Sequence, residues 1–372
     1  MEPRHARITE EELERLRQRM GIEIPHRPSY IEEISRDAIR HFAYGLGDLN
    51  PLWTDEEYAQ KTRYGGLVAP PCILYSTSLI ASGAMGGLPG VHAMFSGTDW
   101  EWFLPLRAGD RIRSTSRLSQ LDEKSSEFAR RTILQGYETR FTNQQGEQVA
   151  RATSFCLRAE RDTAREKGKY STITRQSYTE AEIQAIEAGY DREEVRGSRP
   201  RYWEEVTVGE KLTPLVKGPL TVTDMVAWLM GWGGIFLRAH RIGLEFRRKH
   251  PGAASRDAYG VPDVPERVHW DSDFAREVGV PGAYDYGPQR ISWMGQLMTH
   301  WIGDDGFLQR LNVQVRRFNI VGDTTWCKGR VIDKQCSGKD HWVVCEVWAE
   351  NQRGEVTVKG EATALLPTKL GD

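Results

Sequence analysis

The stretch "GDLNPLWTD" (47–55) has the parts of a catalytic loop with one part exchanged. Asp48 can take up and return a proton, the Asn50-Pro51 step favours a turn, and Asp55 is placed to cap a following helix. At Trp53 stands an indole, which cannot move a proton, where a histidine would complete the pair. A second stretch, "VPDVPERVHWDSDF" followed by "AYDYG", offers His269 with Asp263 upstream and Asp271 and Asp285 downstream. Imidazole and carboxylate around one water are suited to general acid–base work. Asp271 reads as an N-cap for "SDFARE", as Asp55 does for "EEYA". His240 and His250 have no partner at metal-ligand spacing, so no metal is expected. The five cysteines are odd in number and form no CxxC pair, which suits buried thiols in a reducing compartment.

The elements that must hold these residues occur twice in the same order. In the first half, Ser35 is placed to cap a helix with Ile39, Phe42, Ala43 and Leu46 on one face. The loop with Asp48 follows, then "YGGLVAPP", an expected helix "CILYSTSLIASGAM", and strand-like segments with Gly109-Asp110 at a hairpin. In the second half, Thr221 or Thr223 caps "TVTDMVAWLMGWGG". An inserted segment "GGIFLRAHRIGLEFRRKHPGAASRDAYGVPDVPER" precedes His269, and "PQRISWMGQLMTHWIG" is apolar along one helical face. Asp55–Ala59 matches Asp271–Ala275, which reads as one internal duplication. The boundaries expected are an N-terminal extension over 1–26, a first unit over 27–160, a charged linker over 161–200 with a helix near 179–188, and a second unit over 201–372.

This arrangement resembles the MaoC-like acyl dehydratases, which include (R)-specific enoyl-CoA hydratases. The resemblance rests on "FAYGLGDLNPLWTDEEYAQKTRYGGLVAPP" in the first half, and on "HWDSDFAREVGVPGAYDYG" with "FNIVGD" in the second. It implies an α+β fold, the double hot-dog: two helix-wrapped antiparallel sheets from one chain. The family's motif is an Asp, then Asn-Pro, a His five residues after the Asp, and later a His-Gly opening the central helix. It implies hydration or dehydration of a 2-enoyl-CoA thioester, with coenzyme A as part of the substrate and no separate cofactor. A backbone N–H at a helix N-terminus would stabilise the thioester oxygen.

The departures decide which half is expected to act. The first half has Trp53 for the His, and Pro70-Pro71 for the His-Gly, where proline offers no N–H. It is expected to be non-catalytic and to wall the acyl chain. The second half keeps His269 and has Tyr286-Gly287 at the His-Gly position, but aligning the helices puts Gly231-Trp232 where Gly47-Asp48 stands. His269 is therefore the expected acid/base, with Asp48, Asp263 or Asp285 as its carboxylate partner. Gly287 is the expected oxyanion donor, with the Tyr286 hydroxyl beside it. Trp53 and Trp232 suggest a reshaped pocket for a bulky, branched or ring-bearing acyl group. The rival expectations are a non-catalytic acyl-CoA-binding subunit and an acyl-CoA thioesterase.

Lys and Arg total 50 against 52 Asp and Glu, which argues against nucleic acid as a partner. No apolar run approaches the roughly 20 residues that span a bilayer, and the first residues lack a signal pattern. The expectation is a cytoplasmic protein with no membrane partner and a possible homodimer.

Overall fold

The computed structural model describes residues 7–27, 29–126, 129–160, 173–251 and 254–369. Part of the expected linker, 161–172, lies outside them; the remainder holds a helix, α5 (Glu180–Tyr190), opened by a capping box between Thr179 and Glu182. The fold is α+β, a double hot-dog built on one ten-stranded sheet of order β1-β3-β4-β5-β2-β9-β12-β11-β10-β6. The first half gives β1 (Glu23–Ile24), β2 (His92–Trp102), β3 (Arg113–Ser126), β4 (Ala129–Thr142) and β5 (Gln148–Ala159). The second gives β6 (Leu215–Lys217), β9 (Phe307–Val315), β10 (Thr325–Ser337), β11 (Asp340–Asn351) and β12 (Val356–Leu365). All their pairings are antiparallel.

The halves join edge to edge where β2 pairs β9, with Gly97 opposite Gln314 and Trp100 opposite Leu311. A Cβ at Gly97 would strike the Val313 carbonyl, so this crossing needs glycine. Arg310 clasps Asp99 across the seam through two hydrogen bonds, at 2.9 and 2.7 Å. Because β2 pairs β5 and β9, the Gly109-Asp110 turn does not join neighbouring strands as a hairpin would; β5 and β4 lie between β2 and β3.

Against the sheet packs one long helix, α9 (Gly287–Ile302), buried from Pro288 to Ile302. Its counterpart in the first half is only a 3-10 helix, Pro71–Ser76, and the helix expected through Met85 is absent. Hydroxyls compete for its backbone: Thr77 donates to the Leu74 carbonyl, Ser82 to that of Leu79, and Ala81 N–H donates to Ser78. The apolar side chains of the unwound segment still pack into the core. Met85 and Leu88 meet Leu13 and Leu16 of α1 (Glu10–Gln18), which closes a second, smaller core. The described part of the N-terminal extension is thus folded onto the first half through α1.

Two helices of eleven residues, α2 (Arg36–Leu46) and α6 (Val222–Trp232), cross as an equivalent pair. A Cβ at Gly45 would lie 2.9 Å from the Ala227 carbonyl oxygen, and one at Gly231 would lie 2.6 Å from that of His41. Glycine at both positions is what lets the backbones touch. Short helices α3 (Pro51–Thr54), α4 (Glu56–Gln60) and α8 (Ser272–Glu277) follow the two loops. The inserted segment folds as α7 (His240–Lys249), a small β7–β8 pair (Ser255–Arg256, Pro262–Asp263) and a 3-10 helix, Pro265–His269. Of the cysteines, Cys336 is exposed and the other four are buried.

Candidate active site

The two loops sit at opposite ends of α9. His269 ends its 3-10 helix near the N-terminus of α9, where the rings of Tyr284 and Tyr286 flank it at 4.5 and 3.7 Å between centroids. Its Nδ1 lies 2.7 Å from the Tyr284 carbonyl oxygen. A carbonyl only accepts, so Nδ1 carries the proton and Nε2 keeps a free lone pair. The residue as a whole is partly exposed, yet burial presses the ring's pKa down to about 3. His269 is neutral at ordinary pH.

Gly287 opens α9, so its N–H has no carbonyl one turn back to bond. The Phe95 ring, from a bulge in β2, lies so close that a Cβ at 287 would collide with it. The first half therefore walls this helix end. Trp232 packs edge-on to Tyr286 at 4.9 Å and joins the cluster.

Asp285, between the two tyrosines, has buried partners of its own. Its carboxylate is 2.9 Å from Arg290 and takes a 3.2 Å hydrogen bond from Asn319, fully buried. Burial pushes its pKa up to about 7 against the pull of Arg290. Asp263 turns back onto its own chain, accepting from Val264 N–H at 2.7 Å. Asp271 caps α8 through the N–H groups of Asp273 and Phe274, and Asp55 caps α4 through Tyr58.

Asp48 lies near the far end of α9. Its carboxylate accepts from the His300 ring (2.8 Å), the Trp53 indole (3.0 Å) and the Asn50 amide (3.0 Å). Burial opposes its charge, but these donors outweigh that and hold the carboxyl below its ordinary range. Beside it, Lys217 donates to the Leu46 carbonyl and to Gln296, which donates to the Gly47 carbonyl. A cavity of about 50 Å³ opens nearby between Trp53, Pro71, Trp102 and Ile302, lined mostly by apolar groups.

Of the three carboxylates considered as partners of His269, Asp48 is therefore not paired with it. From Gly287 to His300 the helix rises about 20 Å at 1.5 Å per residue, and Asp48 is already engaged. The structure gathers His269, Tyr286, Gly287 and Trp232 at one end of α9, and Asp48 with Trp53 at the other. The helix alignment also shifts by two residues. Both helices end on left-handed glycines, Gly47 and Gly233, so Gly234, and not Trp232, stands at the position of Asp48.

Two groups were not singled out by the sequence reading. His300 is one, and its contact with Asp48 joins residues 252 apart. Glu266 is the other: it is buried and accepts from the N–H groups of Ile235 (3.1 Å) and Phe236 (2.7 Å). Among the described residues, no group of three or more His, Cys, Asp or Glu is placed to hold a metal ion, and no helix is long and apolar enough to cross a membrane.

Residues 18–152 match the family model described as FAS1-like, dehydratase domain region. A UPF0336 protein of Parafrankia sp. is 31% identical over 137 residues, which are 36% of this chain and 86% of the relative. The chain belongs to the UPF0336 family. A UPF0336 protein of Streptomyces avermitilis is 32% identical over 94 residues, 24% of this chain, and the match spans only 63% of that relative. Among solved structures, one described as a MaoC-like dehydratase covers 95% of this chain and 100% of its own, at TM-score 0.67 and 18% identity. A putative MaoC domain protein dehydratase from Chloroflexus aurantiacus covers 94% and 96%, at TM-score 0.62 and 14% identity. Those likenesses concern the fold alone. In this chain the N-terminal end of α9 combines an unprotonated imidazole nitrogen with a helix N–H that has no hydrogen-bond partner among the described residues. The other end has proline and indole at the corresponding places.

Proposed function

We propose that this chain adds water to, or removes it from, a 2-enoyl thioester of coenzyme A at the N-terminal end of α9. The observation that carries the reading is the His269 tautomer. Its Nδ1–H is fixed by the Tyr284 carbonyl, so Nε2 is left as the acceptor, available to a water beside a helix N-terminus. Water would add to the β-carbon while the π electrons move to the α-carbon and the thioester oxygen. The Gly287 N–H and the dipole of α9 favour the charge on that oxygen. The aromatic surroundings, Tyr284, Tyr286, Trp232 and Phe95, support a flat or ring-bearing acyl group, which packs well on ring faces.

The test follows loss of enoyl-thioester absorbance over short, branched and aromatic 2-enoyl-CoAs. His269→Ala is expected to lower kcat by about 10²–10⁴-fold with the fold intact by circular dichroism. Thioester binding without turnover would make the chain a binding subunit, and release of free thiol would make it a thioesterase.

A further inference from the structure

We propose that Glu266 is the second proton-carrying group of this site, standing in for the carboxylate that residue 234 lacks; the assignment rests on the hydration reading above. Ser35 and Thr221 begin equivalent helices, and Gly47 (φ 63°) and Gly233 (φ 93°) end them. The next residue is Asp48 in one half and Gly234 in the other. A Cβ at Gly234 would lie 2.9 Å from Glu266 Oε1. The Glu266 carboxylate and the Leu237 side chain, at 2.8 Å, thus share the space that a side chain on residue 234 would enter.

It arrives from the other direction. The inserted segment leaves from Gly234, runs through α7 and the β7–β8 pair, and returns as the 3-10 helix Pro265–His269. Residues three apart on such a helix eclipse one another, so Glu266 and His269 share a face. Tyr286 ties them together. Its ring stacks on His269 at 3.7 Å, and its hydroxyl lies close enough to Glu266 for each to perturb the other, without forming an aligned hydrogen bond. Two backbone amides anchor Glu266, but a carboxylate has about four acceptor sites and so keeps capacity on this side. Burial also raises its pKa despite those amides, which suits a group that must both hold and release a proton. A second group is needed, because a histidine held as neutral as His269 is a weak base alone.

The step balances. Water gives one proton to the pair and the pair gives one to the α-carbon. One O–H bond and the π bond are lost, C–O and C–H bonds form, and nothing is oxidised or reduced.

The test uses the full chain and a 2-enoyl-CoA that wild type hydrates, with His269→Ala as reference. Glu266→Gln keeps an oxygen for the two amides and is expected to fold with an unchanged Tm while kcat falls about 10²-fold or more. Glu266→Gly is expected to be similarly slow. Gly234→Asp added to Glu266→Gly is expected to recover about tenfold or more, since Asp tolerates left-handed backbone. That recovery separates a chemical role from a structural one. Glu266→Gln within about threefold of wild type, against a dead His269→Ala, would overturn the assignment and leave the hydration reading standing. Loss without recovery in a folded double variant would make Glu266 only an anchor for the inserted segment. Wild type inert on every enoyl thioester would remove the reading itself, and the assignment with it.

Discussion

His300 Nε2 sits 2.8 Å from Asp48 Oδ1, fully buried, and binds the C-terminal part of α9 to a loop of the other half. With Trp53 and Asn50 also donating, the one carboxylate that resembles a catalyst most closely in sequence is held by three partners. This arrangement answers why an indole can stand at position 53. Trp53 is no damaged acid; it is a donor that keeps Asp48 charged in a closed, structural network.

His300→Ala is accordingly expected to cost about 3 kcal/mol or more, because it leaves a buried charge short of its partner. Urea denaturation measures the loss. Hydration by the variant, assayed where it remains folded, is expected to stay near that of wild type.

Trp53→His recreates the sequence of an acid–base loop but not its site. Asp48 stays engaged by His300, and Pro71 still has no N–H for an oxyanion. Combined with His269→Ala, the substitution is expected to restore no hydration. Turnover by that double variant would show that the first half can act.

Gly287→Ala drives a methyl group into the Phe95 ring. Overpacking of this kind costs about 1–3 kcal/mol. Adding Phe95→Ala should relieve most of it, so a double-mutant cycle by thermal unfolding is expected to show strong coupling.

His269 links stability to pH. Its folded pKa is about 3, against 6.5 when unfolded, so between these values the unfolded chain binds more protons. Stability from this group is complete above pH 6.5 and is lost progressively as pH falls towards 3. His269→Gln is expected to flatten that part of the Tm–pH curve. An identical slope in both proteins would count against the buried neutral imidazole.

The features that the sequence predicted well are those fixed by neighbours in the chain. The Ser35 and Thr221 caps and the Asp55 and Asp271 turns follow from spacing of a few residues, whereas α9, expected to be apolar along one face, is buried all round. The segment 72–85 misled for a physical reason: its apolar spacing suits a helix, but its hydroxyls satisfy the backbone in other ways and α9 already occupies the core. The carboxylate question turned on contacts between distant residues. Gly234 and Glu266 meet only because the inserted segment folds back on itself, and the left-handed turn at Gly233 that fixes the alignment is one of conformation, not of residue type.

The shared sheet gives the fusion of the halves a kinetic meaning. Made as separate polypeptides, each half would expose an unpaired edge, β2 or β9, of the sort that recruits wrong partners. On one chain the two edges meet at an effective concentration of order millimolar, whatever the abundance of the protein. The Asp99–Arg310 clasp can then form before a foreign strand arrives. Tethering therefore protects the newly made protein from aggregation as well as completing its fold.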